Sequence, residues 1–216
     1  MVPTYNEFPK IIQTIENLKN YNYDVLFIDD GSSDGTFEVI KSSGFKYIKN
    51  QKNFGKGYSI KRGLEYAILN NYQVVITLDA DGQHPIEYIP KFIEKIQNYD
   101  IVIGSRRKLM HPKNMPFDRY ISNRLNSSIV SIFCNKIIPD ALCGYRAIRT
   151  KILKDINFNC NRFEFEIEFI VKACKYGFSI GFLDIPLIYK DEKSHIRKVL
   201  DTLRVMKLYF SFILFS

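Results

Sequence analysis

Apolar positions along this chain alternate between two registers. Short runs of strand length fall at residues 23–28, 45–48, 74–78 and 100–104, and between them apolar residues recur three and four apart, as on one face of a helix. Phe8, Ile11, Ile12, Ile15 and Leu18 form the first such set. Ile60, Leu64, Ala67 and Ile68 form a second, and Ile89, Phe92, Ile93 and Ile96 a third, opening near Pro85 where proline suits a first helical turn. Residues 36–43 predict a short helix, and Met1-Val2-Pro3 reads as the end of a first strand whose earlier residues are missing or trimmed. Strands alternating with helices predict an α/β fold: a mostly parallel, doubly wound sheet flanked by helices.

The second half is less regular. Residues 106–116 read as a basic, proline-containing loop, followed by a helix over 119–134 with Ile121, Leu125, Ile129, Ile132 and Phe133 on its inward side. Asp140 to Arg146 leads into a strand. A helix over 163–176 carries Glu164, Glu166 and Glu168, read as a mixture of solvated face and one structural contact. Edge strands are expected over 178–183 and 185–189, interrupted by Pro186. From Ser194 a basic amphipathic helix runs to the end. The expected division is therefore a domain over 1–190 and a helix over 191–216, whose last turns carry Phe210, Phe212, Ile213 and Phe215 toward a membrane interface. No apolar run reaches the length of a membrane span.

Composition narrows the class. At 216 residues with 46% hydrophobic and 25% charged content, the chain fits a folded soluble domain. The net charge of +8 and pI near 9.2 point to an anionic partner such as phosphates or an anionic membrane. The basic residues are scattered and no recognition-helix or zinc-finger pattern is present, so nucleic acid is not the expected partner. Cys134, Cys143, Cys160 and Cys174 show no Cys-x-x-Cys spacing and are expected reduced and packed in a cytosolic chain.

The strand at 74–78 runs into Asp79-Ala80-Asp81-Gly82-Gln83-His84-Pro85. In extended backbone, side chains at i and i+2 share a face, so Asp79 and Asp81 converge. With the carbonyl of Gln83 they form a hard, all-oxygen donor set suited to Mg²⁺ or Mn²⁺ against a diphosphate. Taken alone, such a pair also reads as a solvated turn. Two more polar loops, at 3–7 and 29–34, fall at the same edge of the predicted sheet, and carboxylates at three strand ends call for a counterion. Neither a phosphate-cradling Gly-x-x-x-x-Gly-Lys loop nor a dinucleotide fingerprint occurs. A calcium loop counted from Asp79 has its glycine at the wrong place and Pro90 where the bidentate Glu belongs. A haloacid-dehalogenase-type nucleophile loop would open the chain and continue with Thr, whereas Gln83 follows mid-chain here.

Six motifs occur in order: Pro3-Thr4-Tyr5-Asn6-Glu7, Asp29-Asp30-Gly31-Ser32-Ser33-Asp34-Gly35-Thr36, Gly55-Lys56-Gly57, Asp79 to Pro85, Gly104-Ser105-Arg106 and Cys143-Gly144-Tyr145-Arg146. Together they resemble the family 2 glycosyltransferases, in particular the dolichyl-phosphate mannose synthase and polyprenyl-phosphate glucosyltransferase branch. The resemblance implies a nucleotide-sugar-binding fold of the GT-A type and an inverting displacement at the anomeric carbon. It places Pro3, Tyr5 and Glu7 in the nucleoside pocket, with Asp30 or its neighbour Asp29 reaching the base and Lys56 in the nucleotide-binding set. Asp79 would contact ribose or sugar, Asp81 and Gln83 would hold Mg²⁺ or Mn²⁺, and His84 would order the loop rather than act as base.

The acceptor depends on where a nucleophile comes from. An alcohol needs a general base, and Asp140 stands where many members of the family carry one. A phosphomonoester, with its second pKa near about 6, is already a nucleophile and needs cations instead. The branch resemblance assigns Arg106, Arg119 and Ser122 to a lipid phosphate. In Ser194-His195-Ile196-Arg197-Lys198, His195 replaces a lysine of the branch and leaves Arg197 as its substitute. The expectation is a metal-dependent enzyme, peripheral at the cytoplasmic face of a membrane, that moves a hexose from a nucleotide diphosphate sugar to a polyprenyl phosphate. Two alternatives stay open: a saccharide or cell-wall alcohol acceptor with Asp140 as base, and a non-catalytic nucleotide-sugar-binding subunit.

Overall fold

Three parallel strands open the chain: β1 (Val2–Thr4), β2 (Leu26–Asp29) and β3 (Lys46–Lys49), connected by α1 (Lys10–Lys19) and α2 (Thr36–Ser42). The structure is a computed structural model that describes residues 1–106, 108, 115–186, 188 and 198–214. α3 (Lys56–Leu69) leads to β4 (Val74–Thr77), which edges a second sheet of order β4-β6-β5-β7 with β5 (Ile101–Ser105), β6 (Arg146–Arg149) and β7 (Ile180–Asp184). β6 runs antiparallel to both its neighbours, and β7 is parallel to β5. The sheets join where β1 meets β4. The Met1 nitrogen donates to the Ile76 carbonyl at 2.8 Å, and Leu78 N–H donates to the Met1 carbonyl at 3.2 Å, the offset pair of a parallel ladder. The resulting order, β3-β2-β1-β4-β6-β5-β7, places β4 at the centre.

β2 and β5 are buried along their whole length, so their sequences read as unbroken apolar runs. α4 (Ile89–Lys95), α5 (Phe117–Phe133), α6 (Phe165–Lys175) and α7 (Lys198–Leu214) complete the helical layers. Phe27, Phe92, Tyr145 and Phe169 are the largest side chains sealed in the core. Phe8, Ile12 and Ile93, expected inward, are exposed.

α5 departs furthest from the sequence pattern. Ile121, Leu125 and Ile132 face outward, while Asn123, Ser127 and Val130 are buried. The reason is hydrogen bonding. Ser127 Oγ accepts from Ala141 N–H at 3.1 Å and Ser131 Oγ from Ile138 N–H at 2.9 Å, so the polar side of the helix fastens the loop that returns to β6. The expected second edge strand also gives way: Ile185 and Pro186 lie outside any strand, as befits a residue with no backbone N–H, and Leu187 and Tyr189 lie outside the described residues.

α7 seats on α5. Tyr209 Oη donates to Asn126 Oδ1 at 2.7 Å, and Phe133 packs against Tyr209 and Phe212 with ring centroids 5.9 and 5.5 Å apart. Residues 194–197 of the expected helix, Arg197 among them, lie outside the described residues. No helix among the described residues is long and apolar enough to cross a membrane. The expectation of four reduced cysteines is corrected. Packing of α5 on α6 brings Cys134 and Cys174 to a Cα separation of 5.3 Å, and they form a disulfide, while Cys143 and Cys160 are free thiols.

Candidate active site at the carboxyl ends of the strands

The loops after β1 and β2 are laced into one wall. Asn6 N–H donates to Ser32 Oγ at 2.9 Å, Glu7 N–H to Thr36 Oγ1 at 2.8 Å and Phe8 N–H to Asp34 Oδ2 at 3.0 Å. In return Ser33 N–H donates to Asn6 Oδ1 at 2.9 Å. Pro3 is buried in β1, with Tyr5 and Glu7 half-buried just beyond it.

Neighbouring aspartates take different work. Asp30 spends its carboxylate on the chain, accepting from Asn50 Nδ2 (2.7 Å), Phe54 N–H (3.1 Å) and Gly55 N–H (2.7 Å). Gly55 turns there with φ +111, a conformation open to glycine. Asp29 is fully buried; its Oδ2 accepts from Ser32 N–H at 3.2 Å, and its Oδ1 has no hydrogen-bond partner among the described residues. A buried acceptor without a donor carries a desolvation cost that an incoming donor would relieve.

β4 delivers the acidic loop. Asp79 N–H donates to His84 Nδ1 at 2.9 Å, which places the imidazole proton on Nε2. The ring lies buried on Tyr145, centroids 5.0 Å apart, and Tyr145 Oη donates to the Pro85 carbonyl at 2.9 Å. Burial pushes the His84 pKa down to about 4 against the pull of Asp79, so the ring is neutral near pH 7 and holds the loop as an acceptor. A turn closed by Gln83 N–H on Asp81 Oδ1 at 2.9 Å sets the Asp81 carboxylate and the Gln83 amide two residues apart. Both are hard oxygen donors of the kind Mg²⁺ or Mn²⁺ takes. Among the described residues no three His, Cys, Asp or Glu side chains cluster around a metal position. A metal here would draw part of its shell from a bound diphosphate, the usual arrangement for Mg²⁺.

Behind this loop runs a chain of ion pairs. Lys56 Nζ, at the start of α3, stands 2.6 Å from Asp79 Oδ1 and 2.6 Å from Glu166 Oε1 on α6. Burial opposes ionisation of Asp79, yet Lys56, then His84 and Arg106, hold its carboxyl at about 2. Burial likewise opposes the charge on Lys56, and its two carboxylates override it and raise the pKa. Glu166 Oε2 is 3.9 Å from Arg146 Nη2, and the buried Arg146 guanidinium donates to the carbonyls of Cys143 (2.8 Å), Glu166 (3.1 Å) and Ala141 (3.1 Å). Gly144 lies against the chain: a Cβ there would come within 2.8 Å of both Asp79 Oδ2 and Lys56 Nζ.

Arg106, one residue past β5, meets Asp140 as a two-pronged pair. Its Nε donates to Oδ2 at 2.7 Å and its Nη2 to Oδ1 at 3.0 Å, and its backbone N–H reaches Oδ2 at 3.3 Å. Asp140 is fully buried. Arg119 and Ser122 lie on the first turns of α5. Arg107, His195 and Arg197 lie outside the described residues.

The structure thus joins Lys56, Asp79, His84, Arg106 and Asp140 at one sheet edge and gives Asp30 a role in the loop scaffold. Glu166 and Arg146 were named from sequence, one in the Glu164–Glu168 cluster and the other in the last motif, but neither was given a role in the site. Glu164, Glu166 and Glu168 are all buried, correcting the solvated-face reading. For Glu166 a signal was available: Phe169 and Ile170, three and four residues on, share its side of the helix and mark that side as inward.

Over residues 1–157 the chain matches the profile described as Glycosyl transferase family 2. It is 31% identical over 216 residues to the UDP-N-acetylglucosamine–dolichyl-phosphate N-acetylglucosaminyltransferase of Methanococcus voltae, covering 88% of this chain and 85% of that one. It is 34% identical over 189 residues to the dolichol-phosphate mannosyltransferase of Pyrococcus furiosus, covering 82% of this chain and 53% of that one. Among solved structures, glucosyl-3-phosphoglycerate synthase of Mycobacterium tuberculosis in complex with UDP superposes with a TM-score of 0.76 at 17% identity, covering 98% of this chain and 78% of that one. That likeness shows a shared GT-A-like fold; the same enzyme has also been solved with Mn²⁺, UDP and phosphoglyceric acid. With the match spanning most of its length, the chain belongs to glycosyl transferase family 2 and is a glycosyltransferase.

Proposed function

We propose that this glycosyltransferase moves a hexose, with inversion and with the help of Mg²⁺ or Mn²⁺, from a nucleotide diphosphate sugar to a polyprenyl phosphate at the cytoplasmic face of a membrane. The observation that carries the acceptor reading is the Arg106–Asp140 pair. A general base has to reach a proton on the acceptor, whereas Asp140 is sealed from solvent with both oxygens engaged by one guanidinium. Arg106 beside it is a bidentate-capable cation of the sort that anchors phosphate. The relatives named for dolichyl-phosphate acceptors support the same choice.

On this reading the unpaired Asp29 Oδ1 receives a nucleobase N–H, and the loop 4–8 lines the nucleoside. Asp79 orients ribose or sugar, kept in place by Lys56 on one side and by the His84 contact to its backbone on the other. Asp81 and Gln83 would hold the metal, whose chemistry is to neutralise charge growing on the diphosphate leaving group. Arg106, joined by Arg119, Ser122 and Arg197, steadies the acceptor phosphate. One of its oxygens attacks the anomeric carbon from the face opposite the diphosphate. The new C–O bond forms as the old one breaks, the nucleoside diphosphate leaves, and no proton has to be removed from a dianionic acceptor.

The test incubates the protein with Mg²⁺ or Mn²⁺, polyprenyl phosphate and a panel of labelled nucleotide sugars, and counts label in the organic phase. Transfer from one donor, lost in Asp81→Ala, is the expected result. Metal-dependent donor hydrolysis with no lipid product would instead favour a saccharide or alcohol acceptor with Asp140 as base. Donor binding without any turnover would favour a non-catalytic subunit.

A further inference from the structure

α1 buries a stripe made of Ile11, Thr14, Ile15 and Leu18, spaced as one helical face. One member of that stripe is polar. Thr14 is only 4% exposed, at a position where an apolar side chain would pack as well. A threonine inside a helix ordinarily turns its hydroxyl back to a carbonyl of its own helix. Thr14 Oγ1 instead donates at 3.0 Å to the carbonyl of Ala80, 66 residues on. Ala80 is itself buried and stands between Asp79 and Asp81, so the bond lands inside the acidic loop.

We propose that Thr14 is a positioning residue for the metal-holding loop, setting the direction in which the Asp81 carboxylate and the Gln83 amide leave the backbone. The peptide bond is planar, so fixing the Ala80 carbonyl also fixes the nitrogen of Asp81. Alternate peptide planes of the loop are pinned in turn. Asp79 N–H is held by His84 Nδ1, the Ala80 carbonyl by Thr14, and Gln83 N–H by Asp81 Oδ1. His84 and Asp81 belong to the loop itself, whereas Thr14 comes from another element. That element starts in the opposite wall of the site. Ile11 N–H donates to the Glu7 carbonyl at 2.9 Å, and Glu7 N–H is held in turn by Thr36 Oγ1 at 2.8 Å. One turn further along, the same helix reaches the acidic loop. Thr14 therefore gives the loop at 4–8 and the metal donors a common frame, and groups that orient metal ligands from behind strongly affect affinity. The inference rests on the reading of Asp81 and Gln83 as metal holders.

The experiment titrates Mn²⁺ into the full chain in the presence of UDP and, separately, of GDP, following free Mn²⁺ by electron paramagnetic resonance. Thr14→Val keeps the shape of the side chain and removes its hydroxyl. Mn²⁺ should then bind about tenfold more weakly, equivalent to about 1.4 kcal/mol. Thr14→Ser restores the hydroxyl and should bind close to the wild type, while Asp81→Ala is the reference for a lost donor. Thr14→Ala is a second hydroxyl-free variant should valine not fold. Urea denaturation without metal separates positioning from packing. A lowered midpoint with unchanged Mn²⁺ affinity in the hydroxyl-free variants overturns the proposal, and so does a failure of Thr14→Ser to recover that affinity. Two patterns tell the underlying readings apart. Mn²⁺ bound equally by wild type and Asp81→Ala, or by neither, removes the metal reading and this proposal with it. Loss in Asp81→Ala with full binding in Thr14→Val removes the role of Thr14 alone.

Discussion

Lys56 stands between two carboxylates that come from distant parts of the chain, and its position fixes where Asp79 can be. Glu166→Gln would leave the ammonium with Asp79 as its one carboxylate at bonding distance, drawing both from their present places. The expected stability loss, read by urea denaturation, is about 1–3 kcal/mol. Misplacement at a reacting centre is costly, so donor turnover per folded molecule should fall about tenfold or more. Unchanged turnover in the folded fraction would make Glu166 a packing residue only. Asp79, Asp81 and Gln83 were legible in the sequence because their chemistry is contiguous, at the end of one strand. Glu166 was not, because its meaning lies in a partner on another helix. Asp30 was put ahead of Asp29 for a related reason: sequence shows the acid, and only the fold shows that three donors already occupy Asp30.

Periodicity says which residues share a helical face but not what covers that face. It placed α1, α3 and α4 because most of their apolar positions pack into the core, with Ile12 and Ile93 at the exposed margins. On α5 it picked the stripe that points away, since serine and asparagine line the inner side to bind a loop. The loop after β4 shows the same division of labour, for it is held down by His84 lying on Tyr145, whose ring packs in turn on α4's Phe92. That packing makes stability pH-dependent. The folded His84 pKa is near 4 against a reference of 6.5, so between those values the unfolded chain binds more protons. Stability should therefore be whole above pH 6.5 and decline as pH falls toward 4, by about 3 kcal/mol in all. His84→Asn keeps an acceptor for Asp79 N–H and lacks the titration, so its urea midpoint should vary less over that range. An identical decline in the variant would sink the assignment.

Across the whole molecule, alternation of strands and helices made the sheet readable, while the antiparallel β6 was not, because a strand's direction is set by its connection and not by its residues. The disulfide between α5 and α6 was equally hidden: Cys134 and Cys174 are 40 residues apart and follow no motif. Thiol titration of the unreduced, denatured chain should find the thiols of Cys143 and Cys160 alone. Reduction should lower stability by about 4 kcal/mol on the chain-entropy estimate for a loop of this length. Four reactive thiols without reductant would contradict the bridge.

The Arg106–Asp140 pair also bears on how the enzyme lets go of what it makes. With the acceptor proposed above, a phosphomonoester would arrive with close to two negative charges and the glycosylated phosphodiester would depart with one. A guanidinium already balanced by a carboxylate yields to the first far more readily than to the second. On that reading the pair would act as a charge gauge, admitting the reactant and loosening its hold as that charge is spent. Asp140→Asn would unbalance Arg106, and product should then inhibit more strongly, with its inhibition constant falling about tenfold for roughly 1.4 kcal/mol of added attraction. An unchanged constant would mean that release is governed elsewhere.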